Sequence, residues 1–296
     1  MPETNEKYQV GGQAVFEGVM MRSRHFWAVA VRRPDKTIST MLFKDNSLTR
    51  KHKVFGFVFI RGIMVLIESM ALGFKAISYS VNEATGSEIK FSRKEMTISI
   101  IIAVVFSVGV FFVLPTIIGR TFSGFFSNII AYNVIEGLIR IGIFLIYILA
   151  VSQLRDIKRI FQYHGAEHKT IQAYENNEEL KPEKVKKYST IHIRCGTSFL
   201  FIVMIVAIIV FAFLGKQPII WRIISRILLI PAIAGISYEL IKLAGKFSKN
   251  RIINILFYPG LLLQKITTRE PDIAQIEVAI SSFKKVMEAE KALEKG

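Results

Sequence analysis

The sequence predicts a mainly α membrane protein with about four transmembrane helices, additional interfacial or re-entrant helices, and a small cytoplasmic α+β domain containing an N-terminal β-hairpin. Three observations predict it. Of the 296 residues, 51% are hydrophobic and 21% are charged, so the two kinds must be segregated into blocks. Four apolar blocks, Thr97 to Ile118, Asn128 to Val151, Ser198 to Leu214 and Ile219 to Ile241, approach the roughly 20 residues that a helix rising about 1.5 Å per residue needs to cross a hydrocarbon core of about 30 Å. The formal charge of +16 is also unevenly placed: residues 1–53, 152–197 and 242–296 are dense in Lys and Arg, whereas the connections 119–127 and 215–218 hold only Arg120 and Lys216. Basic loops stay in the cytoplasm, which gives four spans with both termini inside.

Residues 1–53 form the cytoplasmic β-containing segment. The start is polar and rich in Arg and Lys, so no cleavable signal peptide is expected and the first hydrophobic helix directs insertion. Trp27 to Val31 and Thr37 to Leu42 alternate like strands around the turn residues Pro34-Asp35-Lys36, the pattern of a hairpin. Gly11-Gly12 and Gly18, flanking Ala14 to Phe16 and Glu17, read either as a glycine-punctuated loop or as a place of close backbone packing. Residues 54–80 are apolar but interrupted by Arg61, Glu68 and Lys75. A crossing there would put the basic loop 152–197 outside, so the segment reads as an interfacial or re-entrant helix. Spans at 97–118 and 128–151 follow, then the loop 152–197, then spans at 198–214 and 219–241. Within 242–296, Ile252 to Leu263 is interrupted by Pro259-Gly260, too short to cross, and suited to the interface. After Pro271-Asp272, the residues Ile273, Ile276, Ile280, Phe283 and Met287 recur at the spacing of one apolar helix face, with Lys284, Lys285, Glu288 and Glu290 opposite. That helix packs on the cytoplasmic domain or serves as a partner-binding arm.

Chemistry is concentrated in Tyr163-His164-Gly165-Ala166-Glu167-His168-Lys169, which contains H-x-x-E-H, the inverted zincin pattern. On a helix His164 and His168 are about 40° apart and one turn apart in height, so both can reach one divalent metal, zinc being the natural candidate. Glu167 lies beside them, where a general base or a carboxylate supporting the ligands is useful. Catalytic zinc takes three protein ligands. His192 or Cys195, just before the third span, can supply the third, and Glu17 is a further carboxylate candidate. Glu175 shares the histidines' face but stands roughly 10 Å beyond His168 along the helix. Cys195 is the single cysteine, which excludes an intramolecular disulfide and suits a reducing compartment; a nucleophile beside His192 is its other reading. Two juxtamembrane histidines that only pack or hydrogen-bond are the plainer reading. His25 and His52 belong to no constellation.

Charged residues inside the apolar blocks form a second group. Glu136 and Arg140 stand at i,i+4 near mid-span, Arg222 and Arg226 form a stripe near the outer end of the fourth span, and Glu239 lies near its inner end. Such residues are costly in hydrocarbon unless paired or facing a wet cavity. They either fix helix register or line a cavity for a polar or anionic headgroup.

The runs Gly11-Gly12-Gln13-Ala14-Val15-Phe16-Glu17-Gly18-Val19-Met20-Met21-Arg22, His164-Gly165-Ala166-Glu167-His168-Lys169 and His192-Ile193-Arg194-Cys195-Gly196-Thr197-Ser198 together resemble the bacterial YqhQ family, as does Arg269-Glu270-Pro271-Asp272 with the helix after it. The resemblance runs from about Gly11 to the C-terminal helix. It implies a multi-pass protein of the bacterial plasma membrane and a domain of unknown function labelled as predicted metal-dependent enzymes.

Three functions are compatible with these features. One is a membrane-embedded, metal-dependent enzyme of hydrolase type, with its site at the cytoplasmic membrane surface. Another is a non-enzymatic assembly or biogenesis factor whose basic face, beyond contacting anionic lipid headgroups, engages a ribosome, RNA or partner membrane protein, or a second copy of the chain. The third is a transporter or lipid-binding protein built around Glu136, Arg140 and Arg226. Four spans without a visible inverted repeat favour it least.

Overall fold

The computed structural model describes residues 8–57, 60–86, 93–192, 195–215 and 217–246, together with 251–295. Lys216, Ile193 and Arg194, which entered the sequence reading, lie outside them. The chain opens with four strands, β1 (Gly11–Val15), β2 (Gly18–Arg22), β3 (Phe26–Arg32) and β4 (Ile38–Lys44), paired in sequence order as an antiparallel meander. The β3/β4 hairpin is the one the alternation predicts, in register with Trp27 opposite Phe43 and Ala30 opposite Thr40. Asp35 Oδ1 accepts from the Thr37 amide and hydroxyl, at 2.9 and 2.6 Å, and shapes its turn.

The glycine-punctuated stretch is two further strands, joined by a two-residue turn in which Glu17 takes φ 51°. Both faces of the sheet are covered, which is why these strands read as continuous apolar runs. Val19, Met21, Ala28 and Ala30 face one core; Val15, Met20, Trp27, Val29 and Val31 face another. A Cβ on Gly18 would stand 2.3 Å from the Ala30 carbonyl oxygen, so glycine is required for β2 to lie against β3.

The helices follow in order. The short α1 (Leu48–Lys51) leads into α2 (Ile60–Thr85). Glu68 of α2 accepts from the first amides of α1, Leu48 at 2.6 Å and Thr49 at 3.2 Å, a capping role. One unbroken helix of 26 residues is not a re-entrant hairpin. It lies between the sheet, which it meets at Ala76, and a later apolar helix, leaving Ile60, Ile67, Met70, Phe74 and Ile77 exposed.

Next, α3 (Arg93–Val108) continues through one π-helical turn (Gly109–Val113) into α4 (Leu114–Thr121). Then come α5 (Ile129–Val151), α6 (Arg155–Glu175), α7 (Pro182–Val185), α8 (Gly196–Ala212), α9 (Ile219–Lys246), α10 (Arg251–Thr267) and α11 (Ile273–Lys295). Three helices among the described residues are long and apolar enough to cross a membrane: Thr97–Thr121, Ile129–Val151 and Ile219–Leu243. The block expected as the third of four spans is the 17-residue α8, about 25 Å long. It packs on α9 through Ile202, Val206 and Phe211 against Ile233, and also on α5 and α10. Pro259 and Gly260 do not break α10, which runs through both. A Cβ on Gly260 would meet Ser198 Cα at 3.2 Å, so glycine here sets the spacing of α10 and α8.

Closing the sheet, α11 buries Ile276, Ile280, Phe283 and Met287 as the periodicity predicts. Glu290, expected on the polar face, is instead 2% exposed. Its carboxylate accepts from Ser23 Oγ at 2.5 Å and the His25 amide at 2.7 Å, and pairs with His25 Nδ1 at 2.9 Å.

Candidate functional site

The H-x-x-E-H run lies on α6 as expected, with His164 and His168 one turn apart and their ring centroids 4.4 Å apart. Cys195, at the N-cap of α8, brings its Sγ to 3.2 Å from His164 Nε2. One ligand atom from each of His164, His168 and Cys195 lies within 4.8 Å of the other two. A tetrahedral zinc with Zn–N near 2.0 Å and Zn–S near 2.3 Å separates its ligands by roughly 3.3–3.7 Å. Small side-chain rotations therefore suffice to close the set.

The protein fixes which nitrogens are available. The His164 Nδ1–H donates to the Thr267 carbonyl at 2.9 Å, a group at the C-terminus of α10 that has no helical partner. The His168 Nδ1–H donates to the Thr190 carbonyl at 2.5 Å. Each ring then presents Nε2 as a lone pair towards the cluster, the arrangement in which a second hydrogen bond sets the tautomer of a ligating imidazole. Burial, and after it the neighbouring His164, push His168 down to about 3, so its ring is neutral near pH 7. Cys195 is pushed up by burial, against hydrogen bonds with Thr197 that favour the thiolate.

Glu167 lies on the adjoining face of α6, between the two histidines in sequence and against Gly12 of β1. It is 5% exposed, and its Oε2 has no hydrogen-bond partner among the described residues. Burial raises its carboxyl to about 8, against the opposing effect of His164. A proton acceptor poised near neutrality is what general-base chemistry requires. The close packing anticipated at Gly11-Gly12 occurs here, since a Cβ on Gly12 would stand 2.9 Å from Glu167 Cδ and 2.6 Å from the Met20 carbonyl. Strand β1 thus closes over the glutamate. Gly165 has a similar reason: its Cβ would fall 2.1 Å from the Arg269 carbonyl oxygen, so only glycine admits the chain that carries Thr267 past α6.

Two candidates lie outside the converging set. His192 directs Nε2 to Glu175 Oε2 at 3.1 Å, about two turns beyond His168 along α6. Glu17 is held by Arg159, with Nη2 to Oε2 at 2.6 Å, and by the Tyr163 hydroxyl at 3.2 Å.

Gln264, absent from the sequence reading, holds the Cys195 segment. It is fully buried, accepts from the His192 amide at 2.9 Å, and donates to the His192 carbonyl at 2.9 Å and Ser198 Oγ at 3.1 Å. A lone amide after Leu261-Leu262-Leu263 was the available signal. Lys169 and Gln172 tie the approaching loop to α6. Lys169 Nζ donates to the carbonyls of Lys186 and Tyr188, both at 2.7 Å, and Gln172 to those of Ser189 and Ile191.

The second group is far from this cluster along α5 and α9. Glu136 accepts from Thr116 Oγ1 at 2.9 Å and faces Arg226, Arg222 at 3.3 Å and Arg140 at 3.4 Å. Glu239 belongs elsewhere, paired with Arg61 of α2 at 2.5 Å.

The family model described as "Protein of unknown function (DUF1385)" matches residues 57–289. The chain is 38% identical over 300 residues to "Uncharacterized protein YqhQ" of Bacillus subtilis (strain 168), covering 95% of this chain and 92% of that protein. No solved structure matches.

Proposed function

The chain belongs to the YqhQ, or DUF1385, family, and from that premise we propose that it is a multi-pass protein of the bacterial plasma membrane, with both termini cytoplasmic, and a metal-dependent enzyme of hydrolytic type. The observation that carries the enzymatic reading is the convergence of His164, His168 and Cys195 within 4.8 Å, with Glu167 buried beside them. The three apolar helices, with the shorter α8 as a fourth crossing that returns the chain to its starting side, and the distribution of Lys and Arg support the membrane placement.

The donor set fits a zinc-like ion, since two neutral imidazoles and one thiolate are borderline-soft ligands. Such an ion would supply Lewis-acid polarisation of a substrate carbonyl or phosphoryl oxygen. Glu167 takes a proton from the attacking water and returns it to the leaving group. His164 is half-buried, which leaves substrate an approach from its side. Gln264, Thr190 and Thr267 orient the ligands and do not touch the reacting atoms.

Elemental mass spectrometry of full-length protein purified in mild detergent without chelator tests this. About one equivalent of a transition metal is expected, falling below 0.1 in the His164→Ala/His168→Ala double variant while its far-ultraviolet circular dichroism is unchanged. A metal-free protein that also binds no added zinc would refute it.

A further inference from the structure

The arginine cluster around Glu136 is over-charged. Three guanidinium groups, Arg140, Arg222 and Arg226, are drawn to one carboxylate, a formal surplus of two positive charges, and their side chains are only 8%, 9% and 1% exposed. Among the described residues no second carboxylate joins them. Register pairing alone needs one cation per anion, and uncompensated buried charge is expensive.

The donors are also incompletely used. Arg226 Nε is buried with no partner. Arg222 gives Glu136 one hydrogen bond, from Nη1, and stacks its guanidinium 4.6 Å from the Tyr132 ring centroid. Arg140 is satisfied differently. Pro115 has no N–H to offer the Phe111 carbonyl four residues earlier, and within the π-helical turn that carbonyl accepts from Arg140 Nε at 2.8 Å. The unused capacity therefore sits on the Arg222 and Arg226 side.

Arg222 lines a cavity of about 550 Å³ together with Thr116, Arg120, Ser127, Tyr132 and Gln217, a size typical of small-ligand sites, while Arg226 lies behind it, paired with Glu136. Arg120 is exposed, and the rest of the wall combines neutral hydrogen-bonding groups with the apolar Phe126, Ile129, Pro218 and Ile219. We propose that this cavity binds a phosphate-bearing anion, held by Arg222 and Arg120, whose negative charge offsets the surplus positive charge of the cluster behind Arg222. Guanidinium forks match tetrahedral oxyanions. The site is distinct from the His/Cys cluster. In the orientation proposed above, on which only this clause rests, it opens at the outer leaflet, where the phosphate of a glycerophospholipid lies within reach.

Purified full-length protein in detergent would be titrated with inorganic phosphate and, separately, with short-chain phosphatidylglycerol, phosphatidylcholine and diacylglycerol, followed by native mass spectrometry and thermal shift. Saturable binding of phosphate alone assigns a free anion; saturable binding of phosphatidylglycerol in preference to the other two lipids assigns a headgroup. Either supports the site. Arg222→Lys and the surface variant Arg120→Glu should each weaken the bound species about tenfold, as expected for the loss of a charge-assisted hydrogen bond. Arg120→Glu alters an exposed residue and keeps the test valid if Arg222→Lys misfolds. Absence of phosphate and phosphatidylglycerol binding, or equal binding of all three lipids, or affinities unmoved by Arg120→Glu, overturns the proposal.

Discussion

Replacing Gln264 by Leu removes the clamp on the segment that carries Cys195 without adding volume. The side chain makes three hydrogen bonds, to the His192 amide, the His192 carbonyl and Ser198 Oγ. The carbonyl keeps the Cys195 amide at 3.3 Å, but the buried amide of His192 loses its Gln264 acceptor. Depriving a buried donor costs about 1–3 kcal/mol, and each of the two remaining bonds contributes about 1 kcal/mol, so a loss of roughly 3–5 kcal/mol is expected. The larger consequence is positional. With the segment loosened, Cys195 Sγ no longer stays 3.2 Å from His164 Nε2, and removal of such supporting contacts lowers metal affinity about 10–100-fold. Denaturant unfolding of the solubilised protein gives the first quantity and competition with a chromogenic zinc chelator the second. Glu at 264 retains an acceptor for the amide and should fall between wild type and Leu. Unchanged zinc affinity in a measurably destabilised Gln264→Leu variant would refute the reasoning, because the clamp would then serve the fold alone.

Other outcomes follow from the same geometry. Gly165→Ala sets a methyl against the Arg269 carbonyl and should cost about 1–3 kcal/mol or more, with zinc binding weakened because the displaced chain carries Thr267; chelator competition reads the second effect. Glu136→Gln leaves three buried arginines without their carboxylate and should destabilise by about 3–5 kcal/mol, visible as a lower unfolding midpoint. At Glu290, burial acts to raise the carboxyl, but hydrogen bonds from Ser23 and His25 outweigh it and hold it below the ordinary range. A depressed carboxylate stabilises the fold above its unfolded value, near 4.3, and that contribution is lost as pH falls through the lower folded value. Stability measured across this acid range should therefore decline less steeply in Glu290→Gln than in wild type.

The structure shows where local patterns are sufficient signals. The β3/β4 hairpin announces itself through alternation and the Pro34-Asp35-Lys36 turn. Strands β1 and β2 do not, because Gly11-Gly12 and Gly18 carry no side chain to mark a face, and because Glu17 takes a positive φ that residue identity does not advertise. Pro259 inside α10 and the unbroken course of α2 past three charged residues reflect packing, on α8 in one case and on the sheet and α9 in the other. The pairing of Arg61 with Glu239, 178 positions apart, could not be read locally.

At the site, His164, Glu167 and His168 were legible because helical spacing alone brings them together. The choice between His192 and Cys195 was not. It depends on Gln264 and Glu175, which turn His192 aside and leave Cys195 facing the histidines. The polar residues of the apolar blocks were legible as a group, but the excess of arginine over carboxylate gained meaning only with the cavity beside it.

The proposed metal is held by the imidazoles of His164 and His168 and the sulfur of Cys195. X-ray absorption at the zinc K-edge of the full-length protein, loaded with one equivalent of zinc, measures this directly. One sulfur scatterer at about 2.3 Å and two imidazole nitrogens at about 2.0–2.1 Å are expected, with the sulfur contribution lost in Cys195→Ser. A coordination shell of nitrogen and oxygen alone in the wild-type protein would contradict it.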